Sequence, residues 1–324
     1  MAKTHWFKKL AVALFCSIWL IGAAFGYHYL YGNQTAEAKT VITIGYQKGD
    51  IFQIAKLDGG LEKALEKENY TVKWHEFVDG SALQEALKTG SIDFGRTGNT
   101  PPVIAQSSGA QIVYAAAGYS KYQGSAILIP KNSTVKSVKA LKGQKIAVAK
   151  GTSAHYFLIR ALKKAGLTLN DVDVQYLDAG AARIAFEKGS VAAWVTWDPY
   201  TASAQTDIGA QILTTAEGYT TDRDFILSTK SFTTANPDVT KLVVSQTNKA
   251  LKRANQNKSQ LIKNLAKALK MDQATITLMV NRRTYGLESI STEILKEQQS
   301  IADTFYDLKL IKKKVDVQSA KIEN

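Results

Sequence analysis

The sequence predicts an α/β protein of two similar halves, each a mostly parallel sheet flanked by helices. Three observations carry this expectation. Strand-like apolar runs alternate with helix-period segments from residue 41 to about residue 230, the pattern of βαβ units whose helices cover a sheet. The series is readable twice in the same order. Beyond residue 230 the chain reads almost wholly as helix.

In the first series, residues 41–46 (VITIGY) form an apolar strand, and helical spacing follows over 51–68. Residues 71–77 alternate as a second strand. A helix over 80–88 is stopped by Gly90, which closes the last turn in the left-handed conformation. A strand returns at 92–94, and Asn99-Thr100-Pro101-Pro102 opens another helix with a polar cap and proline at its start. The second series has a strand at 145–149, a helix at 153–165, a strand at 172–177, a helix over 179–188 stopped by Gly189, and a strand at 191–195. The stretches ALKTGSI (86–92) and AFEKGSV (185–191) place the same cap at the same point. Strands at 112–119 and 125–130 are joined by SKYQG, a crossing between halves, and 225–230 is expected to return the chain. Helices over 237–255, 258–269, 273–281 and 291–308 are expected to pack on the first half as scaffold. The halves are then 39–122 plus 231–324, a discontinuous lobe, and 123–230.

The first residues carry Lys3, Lys8 and Lys9, then an apolar run from Leu10 to about Gly26, then Ala36-Glu37-Ala38. This is the pattern of a signal peptide over 1–38, cleaved after Ala38, and places the protein outside the cytoplasm. An uncleaved membrane anchor is the alternative reading, for which about 20 apolar residues are needed. The single cysteine, Cys16, lies in that run behind the bulky Phe15, a poor site for a lipid anchor. Cleavage leaves 286 residues without cysteine, which excludes a disulfide framework, a thiolate metal site and a cysteine nucleophile. His75 and His155 are the only histidines beyond the leader, so no zinc spacing exists, and no phosphate loop of the G-x-x-x-x-G-K-[ST] type is present. No metal or cofactor is expected. Three lysines and Glu37 leave with the leader, so a net charge of +13 becomes +11. The cations are scattered along helices rather than gathered with aromatics, which argues against nucleic acid. Lys312-Lys313-Lys314 reads as a solvated face, and the excess charge suits an anionic cell envelope.

Candidate chemistry lies where strands turn directly into helices, at 44–49, 96–102 and 148–154. First helical turns carry unpaired N–H groups and the positive end of the helix dipole, so each junction can seat an anion. The candidate ligand-binding residues are Gln47 for its amide, Gly98, Asn99 and Thr100 at the second junction, and Gly151, Thr152 and Ser153 at the third. Each also has a structural reading: a surface turn for Gln47, helix capping for Asn99, Thr100, Thr152 and Ser153. Trp197 is expected as an apolar cleft wall and Trp194 as core. Asp198 is expected to cap the helix that Pro199 begins. His155 follows Ser153 by two residues, a spacing at which helical side chains diverge. It is expected to be satisfied or solvent-facing, and no catalytic residue is assigned. A secreted hydrolase using Ser153 and His155 is the remote enzymatic alternative. Together with export, three anion seats indicate capture of a small anionic solute.

The motifs IGYQKG (44–49), TGNTPP (97–102), AKGTSAH (149–155) and WDPY (197–200), with ADTFY (302–306) and KKVD (313–316), resemble the aliphatic sulfonate-binding proteins of bacterial ABC importers. These sit within a wider nitrate, taurine and thiamine-precursor binding group. The resemblance implies a type II periplasmic-binding-protein clamshell with two hinge crossings, acting as a monomer. It also implies capture of an organosulfonate between the lobes and delivery to a permease and its ATPase. The same role for taurine, nitrate or a thiamine precursor is the alternative. Two positions depart from the family pattern: Arg96, where a small polar residue is usual, and Ala192, where an aspartate is usual.

Overall fold

The computed structural model describes residues 39–322. The chain opens with β1 (Thr40–Tyr46), α1 (Ile51–Asp58), α2 (Gly60–Lys67), β2 (Tyr70–Glu76), α3 (Gly80–Lys88), β3 (Phe94–Gly98), α4 (Thr100–Ser107) and β4 (Ile112–Gly118). It then crosses to β5 (Ser125–Ile129), β6 (Lys145–Val148), α5 (Ser153–Lys164), β7 (Asp173–Tyr176), α6 (Ala179–Glu187), β8 (Ala193–Trp197), α7 (Tyr200–Ile208) and β9 (Gln211–Thr215). It returns to β10 (Asp224–Thr229) and ends in α8 (Lys230–Ala235), α9 (Pro237–Gln256), α10 (Lys258–Leu269), α11 (Gln273–Asn281), β11 (Leu287–Glu288) and α12 (Thr292–Asp307). The leader expected over 1–38 lies outside the described residues. Among the described residues, no helix is long and apolar enough to cross a membrane.

Two sheets result. The first runs β11-β4-β10-β3-β1-β2 and the second β7-β6-β8-β5-β9. β1 pairs parallel with β3, and β6 pairs parallel with both β7 and β8. The strands that follow a crossing are antiparallel to their neighbours, β10 against β3 and β4, and β5 against β8 and β9; the short β11 also pairs antiparallel with β4. The reason is geometric. Strands β3 and β8 end where the two sheets face each other, so a chain arriving from the other sheet enters at that end and runs the opposite way.

Residues 225–230, read from sequence as the return crossing, therefore need correction. All but Lys230, which begins α8, belong to β10, a central strand whose residues Asp224 to Ser228 are all buried. An unbroken apolar run paired on both edges is a sheet interior, and the crossing is 216–223 instead. The two crossings lie side by side: Lys121 Nζ is 2.8 Å from Asp222 Oδ1, and Ser125 Oγ donates to Asp222 Oδ2 at 2.5 Å. The helix expected over 51–68 is also broken, at Gly59, which takes φ +70° between α1 and α2. Strands β3 and β8 end two or more residues later than predicted, which carries Gly98 and Trp197 to the strand tips.

Each sheet is covered on both faces. Ile42, Ile44, Phe52, Phe94 and Leu265 are among the fully or almost fully buried side chains on one face of the first sheet, and Leu83, Val103, Tyr114 and Phe225 on the other. Ile127, Val148, Phe157 and Val195 anchor one face of the second sheet, and Leu128, Phe186 and Trp194 the other. Each such side chain contributes about 1.5–3 kcal/mol relative to exposure. Tyr156 and Ile159 of α5 join a cluster of the first sheet, so the two halves touch through apolar packing as well.

Candidate functional site

The second and third junctions face each other across the two halves. Gly98 ends β3 and Ser153 begins α5, and a Cβ built on Gly98 would overlap the Ser153 hydroxyl. A side chain at this position is admitted only if the Ser153 hydroxyl swings aside. The N–H groups of Ser153 and Ala154 have no partner within their helix by position alone. Pro101 and Pro102 lack N–H groups, so α4 offers donors only from Asn99 and Thr100.

Several hydroxyls at these corners already have partners. Thr152 is the cap of α5: its Oγ1 accepts from His155 N–H at 3.4 Å and donates to Ala149 O at 2.7 Å. Thr100 Oγ1 meets Asn99 Oδ1 at 3.3 Å, and Asn99 O accepts from Gln298 Nε2 at 2.8 Å. Gly151, at φ +74°, donates its N–H to His155 Nδ1 at 3.3 Å. Gln47 is buried rather than on a surface turn; its amide donates to Arg96 O at 3.2 Å, and its N–H to Asp50 Oδ2 at 2.8 Å.

His155 is fully buried. Its Nε2 lies 3.2 Å from the Tyr176 hydroxyl, and its ring packs edge-on to Tyr176 and Phe305. With Nδ1 accepting from Gly151, the proton belongs on Nε2, aimed away from any role at Ser153. Burial, with help from Lys150, lowers its pKa to about 4. The pair therefore lacks the nucleophile–base geometry that hydrolysis requires.

The cavity between the halves holds more charge than the sequence analysis anticipated. It is lined by Asp50 from the cap of α1, Arg96 from β3, Lys121 and Gly124 from a crossing, Trp197 and Asp198 from the end of β8, and Met279, Arg282, Arg283 and Tyr285 from α11 and the segment after it. Arg96 thus faces the cavity. Asp224 lies on the same face of the sheet, because it pairs with Gly98 in the antiparallel register of β10 with β3, two residues from Arg96. It is fully buried and accepts from both Arg96 and Arg283, the latter at 3.2 Å, with Lys121 Nζ 3.7 Å away. Burial raises its pKa, but Arg96, Lys121 and Arg283 outweigh that and hold it at about 2.

Asp50 and Asp198 behave differently. Burial pushes each up to about 6, against the pull of Arg96 on Asp50 and of Arg282 on Asp198. Asp50 caps α1, and Asp198, one residue before the Pro199 that stands at the N-cap of α7, accepts from Ala202 N–H at 3.0 Å. Arg282 Nη1 reaches Asp198 Oδ1 at 3.0 Å, and its other arm donates to Gln205. Thr206 and Thr275 hydroxyls meet at 2.6 Å, so α7 and α11 bridge the two halves. The C-terminal helices, expected as scaffold alone, therefore do more, because α11 and the residues after it supply much of the cavity wall. Trp197 is half-buried, stands edge-on to Tyr200 with ring centres 5.9 Å apart and faces the cavity, whereas Trp194 is core. Space open to a water in the cavity is about 30 Å³. One water needs about 10–15 Å³, so an organic guest requires the halves to part.

Two sheets joined by two adjacent crossings, with a charged cavity between them, define a periplasmic-binding-protein fold. Residues 66–260 match the family described as NMT1/THI5 like. The chain is 36% identical over 279 residues to a protein of Escherichia coli (strain K12) that bears the name aliphatic sulfonates-binding protein, with 86% of this chain and 87% of the relative covered. A Bacillus subtilis (strain 168) protein of the same name is 35% identical over 281 residues, covering 86% and 84%. Among solved structures, the alkanesulfonate-binding protein SsuA from Xanthomonas axonopodis pv. citri, bound to MOPS, superposes with a TM-score of 0.83 at 34% identity, covering 88% of this chain and 99% of that one. The protein belongs to the NMT1/THI5-like family.

Proposed function

We propose that this protein is the extracytoplasmic solute-binding component of an ABC importer and that it captures aliphatic sulfonates between its two lobes. The observation that carries the reading is the approach of Gly98 to Ser153, which brings helix starts from opposite halves to one place. The names borne by relatives at 34–36% identity support the cargo.

A sulfonate is singly negative across physiological pH, so its recognition needs converging donors and no proton exchange. In this reading the N–H groups of Asn99, Thr100, Ser153 and Ala154 and the Ser153 hydroxyl receive its oxygens. Gln47 contributes its remaining amide hydrogen, Gly98 and Gly151 allow close approach, and Thr152 acts by holding the start of α5. Hydrogen bonds to a charged group contribute about 1.5–3 kcal/mol each, so three or four, less desolvation and ordering, give about micromolar affinity. Trp197 covers the alkyl tail.

The two lobes are the halves built on the two sheets. They rotate about the crossings at 119–124 and 216–223, as hinged binding proteins do. The closed form is what a permease with its ATPase recognises, and the protein acts as a monomer held outside the cytoplasm by its leader or released after cleavage at Ala38. Titration of the purified protein with butanesulfonate, followed by tryptophan fluorescence, tests the reading. Saturable quenching or enhancement is expected, and a flat response to every alkanesulfonate overturns it.

A further inference from the structure

The donors and acceptors of the cavity are unequally matched. Asp224 spans two guanidinium groups, those of Arg96 and Arg283. Each keeps its Nε–H buried without a hydrogen bond, Arg96 Nε facing Asp50 Oδ2 only at 4.0 Å, and the hydroxyl of Tyr285, whose ring lies 4.8 Å from the Arg283 guanidinium carbon, is likewise without one. All three residues line the same cavity. The carboxylates that line it are engaged instead. Asp50 accepts from the N–H groups of Gln47 and Gln53, and Asp198 from Ala202 N–H and Arg282. A buried donor without an acceptor is costly, and more so when charged. What the cavity lacks is therefore an acceptor, and a guest that completes it brings negative charge rather than an ammonium group.

Size and position sharpen this. About 30 Å³ of open space accommodates one small oxyanionic head. Arg96 precedes Gly98 by two residues on β3, so both face the same side, about 7 Å apart along the strand. That is the span of a short bifunctional chain. We infer that the favoured cargo is a short-chain sulfonate with a second acidic group, a carboxylate, received by Arg96, Arg283 and Tyr285 while the sulfonate occupies the Gly98–Ser153 corner. The inference rests on the sulfonate-binding reading and names the class of sulfonate.

Calorimetric titration of the full protein with three probes of similar length tests it: propanesulfonate, 3-sulfopropanoate and 3-aminopropanesulfonate. The expected order is 3-sulfopropanoate at least ten-fold tighter than propanesulfonate, with the amine weakest. In Arg96→Gln and in Tyr285→Phe the ratio between the first two shrinks, and Tyr285→Phe removes only one oxygen, so it reports even if Arg96→Gln fails to fold. Equal binding of all three, or a preference for the amine, overturns the inference while leaving sulfonate capture intact. Silence from all three overturns the sulfonate reading itself, and this inference with it.

Discussion

Gly98 of the first sheet and Ser153 of the second lie so close that any side chain at position 98 meets the Ser153 hydroxyl. The contact belongs to the shape in which the lobes are together. Gly98 ends a strand and has no positive φ, so a β-branched residue suits its backbone. Gly98→Val is therefore expected to fold with a stability change within about 1 kcal/mol while propping the lobes apart. Small-angle scattering should show a larger radius of gyration than the parent in excess butanesulfonate, with affinity at least ten-fold lower. An unchanged radius and affinity would remove Gly98 from the site.

Thr152 and Ser153 are adjacent hydroxyls to which the proposed function gives different work. Thr152 caps α5 through His155 N–H and Ala149 O. Thr152→Val should cost about 0.5–2 kcal/mol in urea unfolding. Ser153→Ala should change stability by less than about 0.5 kcal/mol and weaken sulfonate binding instead. Reversal of that pattern would exchange their roles.

Trp197 offers an apolar wall at the cavity. Affinity across ethane-, propane- and butanesulfonate should rise by about 0.8 kcal/mol, or roughly four-fold, for each methylene buried. Trp197→Ala should flatten that slope. A slope unaffected by the substitution would place the tail elsewhere.

The pH dependence of stability contains two opposed parts. Asp50 and Asp198 are raised by burial from 3.8 to about 6, so the folded protein binds their protons before the unfolded chain does. Each adds stability as pH falls from about 6 to about 4. His155 is lowered from 6.5 to about 4, chiefly by burial and then by Lys150. The stability it supports is complete above about 6.5 and is lost as pH falls towards 4. Asp198→Asn removes one of the first parts. Between pH 7 and pH 5 the variant should lose about 1 kcal/mol relative to the parent, read from urea midpoints at the two pH values. Parallel pH profiles would show that Asp198 does not titrate in that interval.

Much of the architecture is written locally. The helices expected over 258–269 and 273–281 are found as Lys258–Leu269 and Gln273–Asn281, because apolar periodicity and end signals lie within each segment. Gly90 and Gly189 do close their helices at positive φ. The strand Gln211–Thr215 was missed, since half-buried threonines at a sheet edge carry little apolar signal. The role of residues 225–230 was misread because a central strand and a buried crossing are both short apolar runs. Lys312 to Lys314 are exposed between buried Ile311 and Val315, as a solvated face requires.

Of the residues expected to bind ligand, Trp197 alone lines the cavity; the corners at Gly98 and Ser153 lie outside its lining, and the charges that do line it carried no sequence signal. A strand that ends in glycine or a polar cap before a helix is a local pattern, and Gly98, Thr152 and Ser153 could be named from it. Arg282 and Arg283 gave no such signal, because two basic residues at the end of a helix are what the helix dipole favours anyway.

The sequence alone determined the order of strands and helices and which turns could present unpaired N–H groups, because both depend on residues a few positions apart. Only the tertiary structure decided that Arg96 and Arg283 share Asp224. Those residues lie far apart in the chain, and they meet because the returning strand inserts between β3 and β4 and α11 folds back across the cavity. Charge neutrality in a buried space is a condition on all of them at once, and no single segment carries it.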